Sequence, residues 1–141
     1  MTEFRDSKFM TAAEKDRVLK AWRRFIKGGL KWTQFTQAIY DHLIQHASFI
    51  AHFNRAGFYN TYFRTGDDRL RFLNMFLTGT SCEYGDSHWL HGEYADINAA
   101  LCAVVKDFHA DLAAHAKAMQ REQDVAEATR LLGKHGLNVE A

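Results

Sequence analysis

Apolar residues recur at intervals of three and four along most of this chain, which is the spacing that places them on one side of an α-helix. Four long stripes of this kind begin at Val18, Trp32, Phe63 and Ile97. No segment shows the strict alternation of a β-strand, and the chain has no proline to interrupt a helix. The pattern predicts an all-α fold.

Capping and stop residues mark where the first helix begins and ends. Residues 11–14 have the order of a capping box, in which the side chains of Thr11 and Glu14 bond each other's backbone amides. The helix that follows is expected to stop at Gly28 and Gly29.

Weaker signals set the later boundaries. A second helix is predicted over about residues 32–47, and an irregular aromatic-rich stretch over residues 48–62. Thr65 precedes acidic residues and is typical of a third helix start. Asp96 is predicted to cap the last long helix, and a separate final helix is expected over about residues 124–132.

The bulk composition limits the class of protein. With 141 residues, 47% of them hydrophobic, the chain suits one domain over residues 11–141 after a flexible arm of residues 1–10. A net charge of +1 gives no field that would recruit nucleic acid or an anionic membrane. The N-terminus lacks an apolar secretory segment, and no apolar run nears the ~20 residues of a membrane span, so a cytoplasmic protein is expected. Cys82 and Cys102 match no zinc motif and are predicted to be reduced thiols.

Three segments of the chain combine aromatic, glycine and histidine residues at characteristic distances. Residues 38–43 are followed at a suitable distance by Phe53, and residues 72–79 end in glycine before Tyr84 and Gly85. The third segment is a histidine, His91, followed by the last long helix.

Over about residues 33–134 the chain therefore resembles the truncated (two-over-two) haemoglobins of the globin superfamily. It departs from their pattern in four places. Gly79 is followed by Thr80 instead of a second glycine, and the loop after Phe53 is longer. The stretch from Tyr84 to His91 is slightly shorter, and the first helix is longer than is usual in that family. The resemblance implies a globin-like helical sandwich around a haem pocket.

The same resemblance implies haem b as the cofactor. His91 would be the axial ligand of the iron, because neutral imidazole is the globin-type donor, and His88 three residues earlier is its rival. The further side chains expected to line the haem are apolar: Phe53, Phe63, Leu70, Leu73, Leu77, Val104 and Phe108.

On the opposite side of the haem, Tyr40 would donate a hydrogen bond to a bound gas molecule, near Gly66, Leu70 and His46. The function implied is reversible binding of oxygen, nitric oxide or carbon monoxide at ferrous haem. Nitric oxide dioxygenase or peroxidase-like side activity, with a reductase as partner, stays open, as does the oligomeric state.

Two alternatives compete with the haem globin. The first is a cofactor-free helical sensor or interaction module with a globin-like fold. The second is a non-haem di-iron oxygen carrier, because His42 and His46 share one helix face. Its further candidate ligands are His88, His91, Glu93, His109 and His115.

Overall fold

The computed structural model describes residues 4–47, 49, 54–78 and 92–136, and these residues confirm an all-α fold. A single antiparallel bridge between Ser7 and Met10 is the only β pairing in that part of the chain. None of the helices described is both long enough and apolar enough to cross a membrane. The five α-helices are α1 (Ala12–Lys27), α2 (Gln37–His46), α3 (Arg55–Tyr62), α4 (Gly66–Thr78) and α5 (Ala95–Lys134).

Helix α1 begins and ends where the sequence predicts. The Thr11 hydroxyl accepts from the Glu14 amide at 3.1 Å, and the Glu14 carboxylate accepts from the Thr11 amide at 3.1 Å, which completes the capping box. The helix ends at Lys27, with Gly28 as its C-cap.

Two predictions between α1 and α4 were wrong. Residues 32–34 form a short 3₁₀ turn, and α2 begins only at Gln37 because the Thr36 hydroxyl accepts from the Ile39 amide. The stretch predicted to be irregular contains α3, whose first turn is capped by the Asn54 side chain through the Gly57 amide at 2.7 Å.

Helix α5 is one continuous helix of 40 residues, so the separate final helix over residues 124–132 was wrongly predicted. At 1.5 Å per residue it is about 60 Å long. The Gln120 side chain donates to Asp124 across the expected break. Asp96 is also not the cap: Tyr94 holds the N-cap position, and Asp96 lies in the first turn.

The core is built mainly from aromatic rings contributed by α1, α3, α4 and the segments between them. The Trp22 indole donates to the Leu101 carbonyl at 3.0 Å, which ties this core to α5. Close ring packing of this kind contributes beyond the area that it buries. The largest aromatic members, each at most 1% exposed, are Trp22, Phe25, Phe35, Phe49, Phe58, Phe63, Phe72 and Phe76.

Helix α4 starts directly against α5. A Cβ at Gly66 would clash with the Ala116 carbonyl and the Gln120 backbone amide, so only glycine permits this approach. The Gln123 side chain accepts from the Gly66 amide at 3.0 Å, and Gln120 accepts from Asp67 at 2.8 Å. Side chains of α5 thus satisfy amides that α4 leaves unpaired at its N-terminus.

Residues 4–10, for which a flexible arm was expected, lie against the start of α5. Lys15 anchors them: its fully buried Nζ pairs with the Asp96 carboxylate at 3.0 Å and donates to Ser7 Oγ at 2.6 Å and to the Glu93 carbonyl at 2.9 Å. The Arg5 amide also donates to Asp96 at 3.0 Å. The buried lysine therefore joins the N-terminal segment, α1 and α5.

Candidate functional site

One cavity lies between the C-terminal end of α1, the first turns of α4 and the middle of α5. Its volume is about 510 Å³, which is in the range of small-molecule sites. Residues 26–31 form one side, Arg69 a second and residues of α5 the third. The side chains contributed by α5 are Phe108, Asp111, Leu112, His115, Ala116 and Met119.

Arg69 is the most unusual group in this cavity. Its half-buried guanidinium donates to the Phe63 carbonyl at 2.8 Å, to the Gly29 carbonyl at 3.4 Å and to the Tyr59 hydroxyl at 3.3 Å. All three acceptors are neutral, and no carboxylate of the described residues comes within 4.0 Å of it. The guanidinium has five N–H donors, so donors remain for a further acceptor.

The other charges of this cavity are also mainly positive. Lys27 and Lys31 stand at the exposed rim beside Arg69, and the only carboxylate among the lining residues is the exposed Asp111. His115 adds an imidazole ring. Three cationic side chains therefore face one carboxylate in a cavity with several apolar walls.

The turn after α1 shapes the wall next to Arg69. Gly29 and Leu30 both have positive φ, at 89° and 63°, and the Leu30 amide donates back to the Phe25 carbonyl at 3.0 Å. A leucine in this left-handed region is uncommon and is kept there by its burial. The turn directs the Gly29 carbonyl toward the Arg69 side chain.

A smaller cavity of about 270 Å³ lies near the other end of α1, between α1, α2 and the N-terminal segment. Its apolar walls come from Phe9, Met10, Val18 and Ala38. Its polar walls come from Glu14, Arg17, Asp41, His42, Gln45 and His46.

His42 is the deepest polar group of this cavity, at 2% exposure. The buried Asn98 donates through Nδ2 to the His46 carbonyl at 2.8 Å, so its Oδ1 faces His42 Nε2 at 2.7 Å. Because an amide oxygen only accepts, Nε2 carries the proton, and Nδ1 of the neutral ring then holds a lone pair. That Nδ1 is buried without a hydrogen-bond partner in the part of the chain that the structure describes.

Burial keeps the His42 ring neutral. Desolvation lowers its pKa to about 4, and the positive charges of His46 and Lys15 act in the same direction, while the bond to Asn98 opposes them. The pKa of His46 is also lowered, first by burial and then by Lys15. The bond to Asn98 needs only a proton on Nε2, which the neutral and the charged ring both carry, so it is burial that favours the neutral ring.

Several residues expected around haem lie within the aromatic core. Phe63 is fully buried, with the ring centroids of Phe25 and Phe72 at 5.2 and 4.6 Å. Leu73 and Val104 are buried in the same cluster. On these sides Phe63 contacts packed rings instead of an open space.

The residues expected around the bound gas each have a different neighbour in the fold. Tyr40 packs edge-on against Phe58, with ring centroids 5.8 Å apart. His46 instead stacks on Tyr94 with centroids 3.9 Å apart, and Gly66 contacts the far half of α5.

The remaining described residues of the haem prediction differ in exposure. Leu70 is half-buried, Leu77 is 38% exposed, and Phe108 lines the cavity beside Arg69. The predicted haem site as a whole stays a prediction. His91, its rival His88 and Phe53 lie outside the described residues, so the axial-ligand assignment stays a prediction.

The di-iron alternative gains no support from the residues described. His42 and His46 have ring centroids 5.6 Å apart, yet no group of three or more His, Cys, Asp or Glu side chains positioned to hold a metal occurs in residues 4–47, 49, 54–78 and 92–136. Cys102 is a free, buried cysteine, and burial raises the pKa of its thiol to about 11.

Sequence reasoning did not identify Arg69, Asn98 or the buried Lys15. Each lies in an amphipathic helix where a polar residue is expected to face solvent. Only His42 gave a signal, as a histidine one turn before His46.

Comparison with known proteins adds no relative: no family model, no curated protein and no solved structure matches this chain.

Proposed function

We propose that this chain is a cofactor-free helical binding module that takes an amphipathic organic anion in the cavity beside Arg69. The observation that carries the proposal is the half-buried Arg69 guanidinium. It lines a cavity of about 510 Å³, and its acceptors among the described residues are all neutral. A carboxylate or phosphate group would supply the missing negative charge.

Charge and shape together favour an anion that also has an apolar part. A charge-assisted bond to a guanidinium is about twice as strong as a neutral one, and the rim lysines Lys27 and Lys31 would add attraction. Ile26, Leu30 and Met119 line the same space and would cover an alkyl or aryl group. A small inorganic ion would leave these apolar walls in contact with water.

The proposal follows the cofactor-free alternative because the cavity beside Arg69 is lined by described residues, whereas both candidate axial ligands of a haem lie outside them. The globin-like arrangement and the gas-binding function are competing proposals. They depend on His91 and His88, outside the described residues, and are tested separately below.

Titration calorimetry with octanoate and octylammonium is the first test of the anion site. The two probes have the same chain and opposite charge, so we expect octanoate to bind and octylammonium not to bind. Arg69→Gln should weaken octanoate binding by about tenfold or more, the loss of one charge-assisted bond. Arg71→Gln is the control, because Arg71 lies two residues away on the same helix and is exposed.

A second variant controls for a folding defect of Arg69→Gln, because the Arg69 side chain also donates to the carbonyls of Phe63 and Gly29. Lys31→Glu changes an exposed side chain at the cavity rim and should weaken octanoate binding without altering the thermal melt. Equal binding of octanoate and octylammonium, or octanoate binding that neither Arg69→Gln nor Lys31→Glu reduces, would overturn the anion site.

Hemin titration separates the haem alternative from the proposed one. Hemin is itself an amphipathic anion, so binding alone is not decisive, and the ferrous spectrum must be compared between wild type, His91→Ala and His88→Ala. A Soret band typical of histidine-bound iron that one of these variants abolishes would contradict the cofactor-free assignment. A spectrum that is unchanged in both variants would support it.

A further inference from the structure

We propose that the cavity beside His42 is a second, separate binding site, which takes a small organic ammonium ion. It lies near the N-terminal end of α1, whereas the cavity beside Arg69 lies at the C-terminal end of that helix. The two cavities have no lining residue in common, so this proposal does not rest on the anion site.

The first argument is the unused acceptor on His42. The bonds from Asn98 to His46 and from His42 to Asn98 fix the proton on Nε2 and leave the Nδ1 lone pair without a partner among the described residues. Buried polar atoms are nearly always paired, so an unpaired one requires an explanation. An N–H donor in the adjacent cavity would provide it.

The second argument is the balance of charge around the cavity. Two carboxylates, Glu14 and Asp41, line it with the single cationic side chain of Arg17. Asp41 accepts one bond from the Gln37 side chain at 2.9 Å, and its carboxylate has capacity for more. The carboxylates that line the cavity therefore outnumber its lining cation, which suits a ligand with a positive charge and several N–H groups.

The third argument is the aromatic ring at the cavity mouth. Phe9 is 71% exposed, although it is a large apolar side chain. Lys8 Nζ lies 5.2 Å from its ring centroid, within the distance at which a ring face attracts a cation. Met10 and Val18 continue the apolar wall and would cover a short alkyl chain.

A metal ion and an anion fit this cavity less well. The described residues provide no group of three metal-ligating side chains there, and the two carboxylates would repel an anion. A volume of about 270 Å³ limits the ligand to a small molecule.

Calorimetry with butylammonium and butyrate tests the charge preference, and we expect only butylammonium to bind. Asp41→Asn removes one carboxylate from a half-buried position and should weaken butylammonium binding by about tenfold. The matched control is Asp16→Asn, because Asp16 is a carboxylate of α1 that pairs with Lys20 and does not line the cavity.

The role of His42 requires a variant that keeps its bond to Asn98. His42→Gln places an amide N–H near the position of Nε2 and removes the Nδ1 lone pair. We expect it to fold, with a melting temperature close to that of the wild type, and to bind butylammonium about tenfold more weakly. If His42→Gln does not fold, the Asp41→Asn titration and the imidazole signals of the wild-type protein still test the proposal.

Long-range proton–nitrogen correlation spectra of the imidazoles give an independent readout. Before titration His42 should show a protonated Nε2 and an unprotonated Nδ1, and butylammonium should shift the Nδ1 signal alone. A protonated Nδ1 in the free protein, equal binding of butyrate, or no effect of Asp41→Asn would overturn the proposal. None of these outcomes bears on octanoate binding beside Arg69.

Discussion

The two cavities lie at opposite ends of α1 and differ in the sign of their charge. The cavity near the start of α1 contains Glu14 from its first turn, and the cavity near its end contains Lys27 from its last turn. This part of the difference follows from the helix dipole, which favours acids at the N-terminus and bases at the C-terminus. Glu14 and Lys27 therefore give each cavity a preference for one ligand charge only together with Asp41 and Arg69 from the neighbouring helices.

The groups that distinguish the cavities functionally come from other helices. Arg69 belongs to α4 and His42 to α2, and neither is explained by the dipole of α1. Among the described residues, Arg69 brings a charge without an anionic partner and His42 brings a lone pair without a donor. Both proposed sites thus depend on polar groups whose partners are incomplete, more than on the total charge of a surface.

The largest loss of stability is expected at the close backbone contact between α4 and α5, next to the cavity beside Arg69. Gly66→Ala would drive a methyl group into the backbone of α5, so we expect a loss of about 4 kcal/mol in the free energy of unfolding. Chemical denaturation measures this loss. Gly133→Ala is the control: its Cβ would meet nothing within 4 Å, so the higher helix propensity of alanine should leave stability equal or slightly higher. A Gly66→Ala protein as stable as wild type would show that α4 can move away from α5.

A loss of about 3 kcal/mol is expected from Lys15→Met, because removal of the buried ammonium leaves the Asp96 carboxylate without its partner. The variant should also weaken butylammonium binding, since Lys15 anchors the segment that carries Phe9 and Met10, and leave octanoate binding unchanged. Denaturation and the two titrations check this. Lys20→Met, at an exposed ion pair, should change stability by under about 0.5 kcal/mol. If Lys15→Met weakened the binding of butylammonium and of octanoate equally, the two cavities would not be independent.

The smallest expected effect on stability is the pH dependence due to His42. The pKa of this ring is about 4 in the folded chain and near 6.5 when unfolded, so the unfolded state takes up a proton first as pH falls. The free energy of unfolding should therefore be highest above pH 6.5 and should decline by roughly 2–3 kcal/mol as the pH falls to 4. Denaturation across this range should give a flatter profile for His42→Gln. The lowered pKa values of Glu14 and Asp96 act in a lower pH range, below about pH 4. A profile that His42→Gln does not flatten would mean that another group causes the decline.

Local signals allowed part of the fold to be predicted. The capping box of Thr11 and Glu14 acts over three residues, so its outcome is encoded beside it. Helix α3 was missed because it has only eight residues and packs its aromatic side chains into a core made by distant segments. An isolated helix of that length is marginal, and its stability comes from tertiary contacts that the local pattern does not show.

The candidate sites were less predictable because their geometry depends on distant partners. Arg69 is held by groups 6, 10 and 40 residues away, and His42 by an asparagine 56 residues away. The histidine pair of α2 indicated polar chemistry at the correct place, but not which nitrogen would lack a partner. That followed only from the orientation of Asn98, which α5 determines.

Helix α5 has two parts that differ in cooperativity. As far as Gln123 its side chains bond to α4 or pack in the core, so this part unfolds only together with the domain. From Asp124 to Lys134 every residue except Leu132 is exposed. In the described chain, Gln123 is the last residue of α5 that bonds another helix, so the bonds that remain are mainly local pairs such as Glu127 with Arg130. Eleven helical residues without tertiary contacts are marginal in water. The amide protons of this end therefore exchange by local fraying, at a small fraction of the free energy that protects the rest of the same helix.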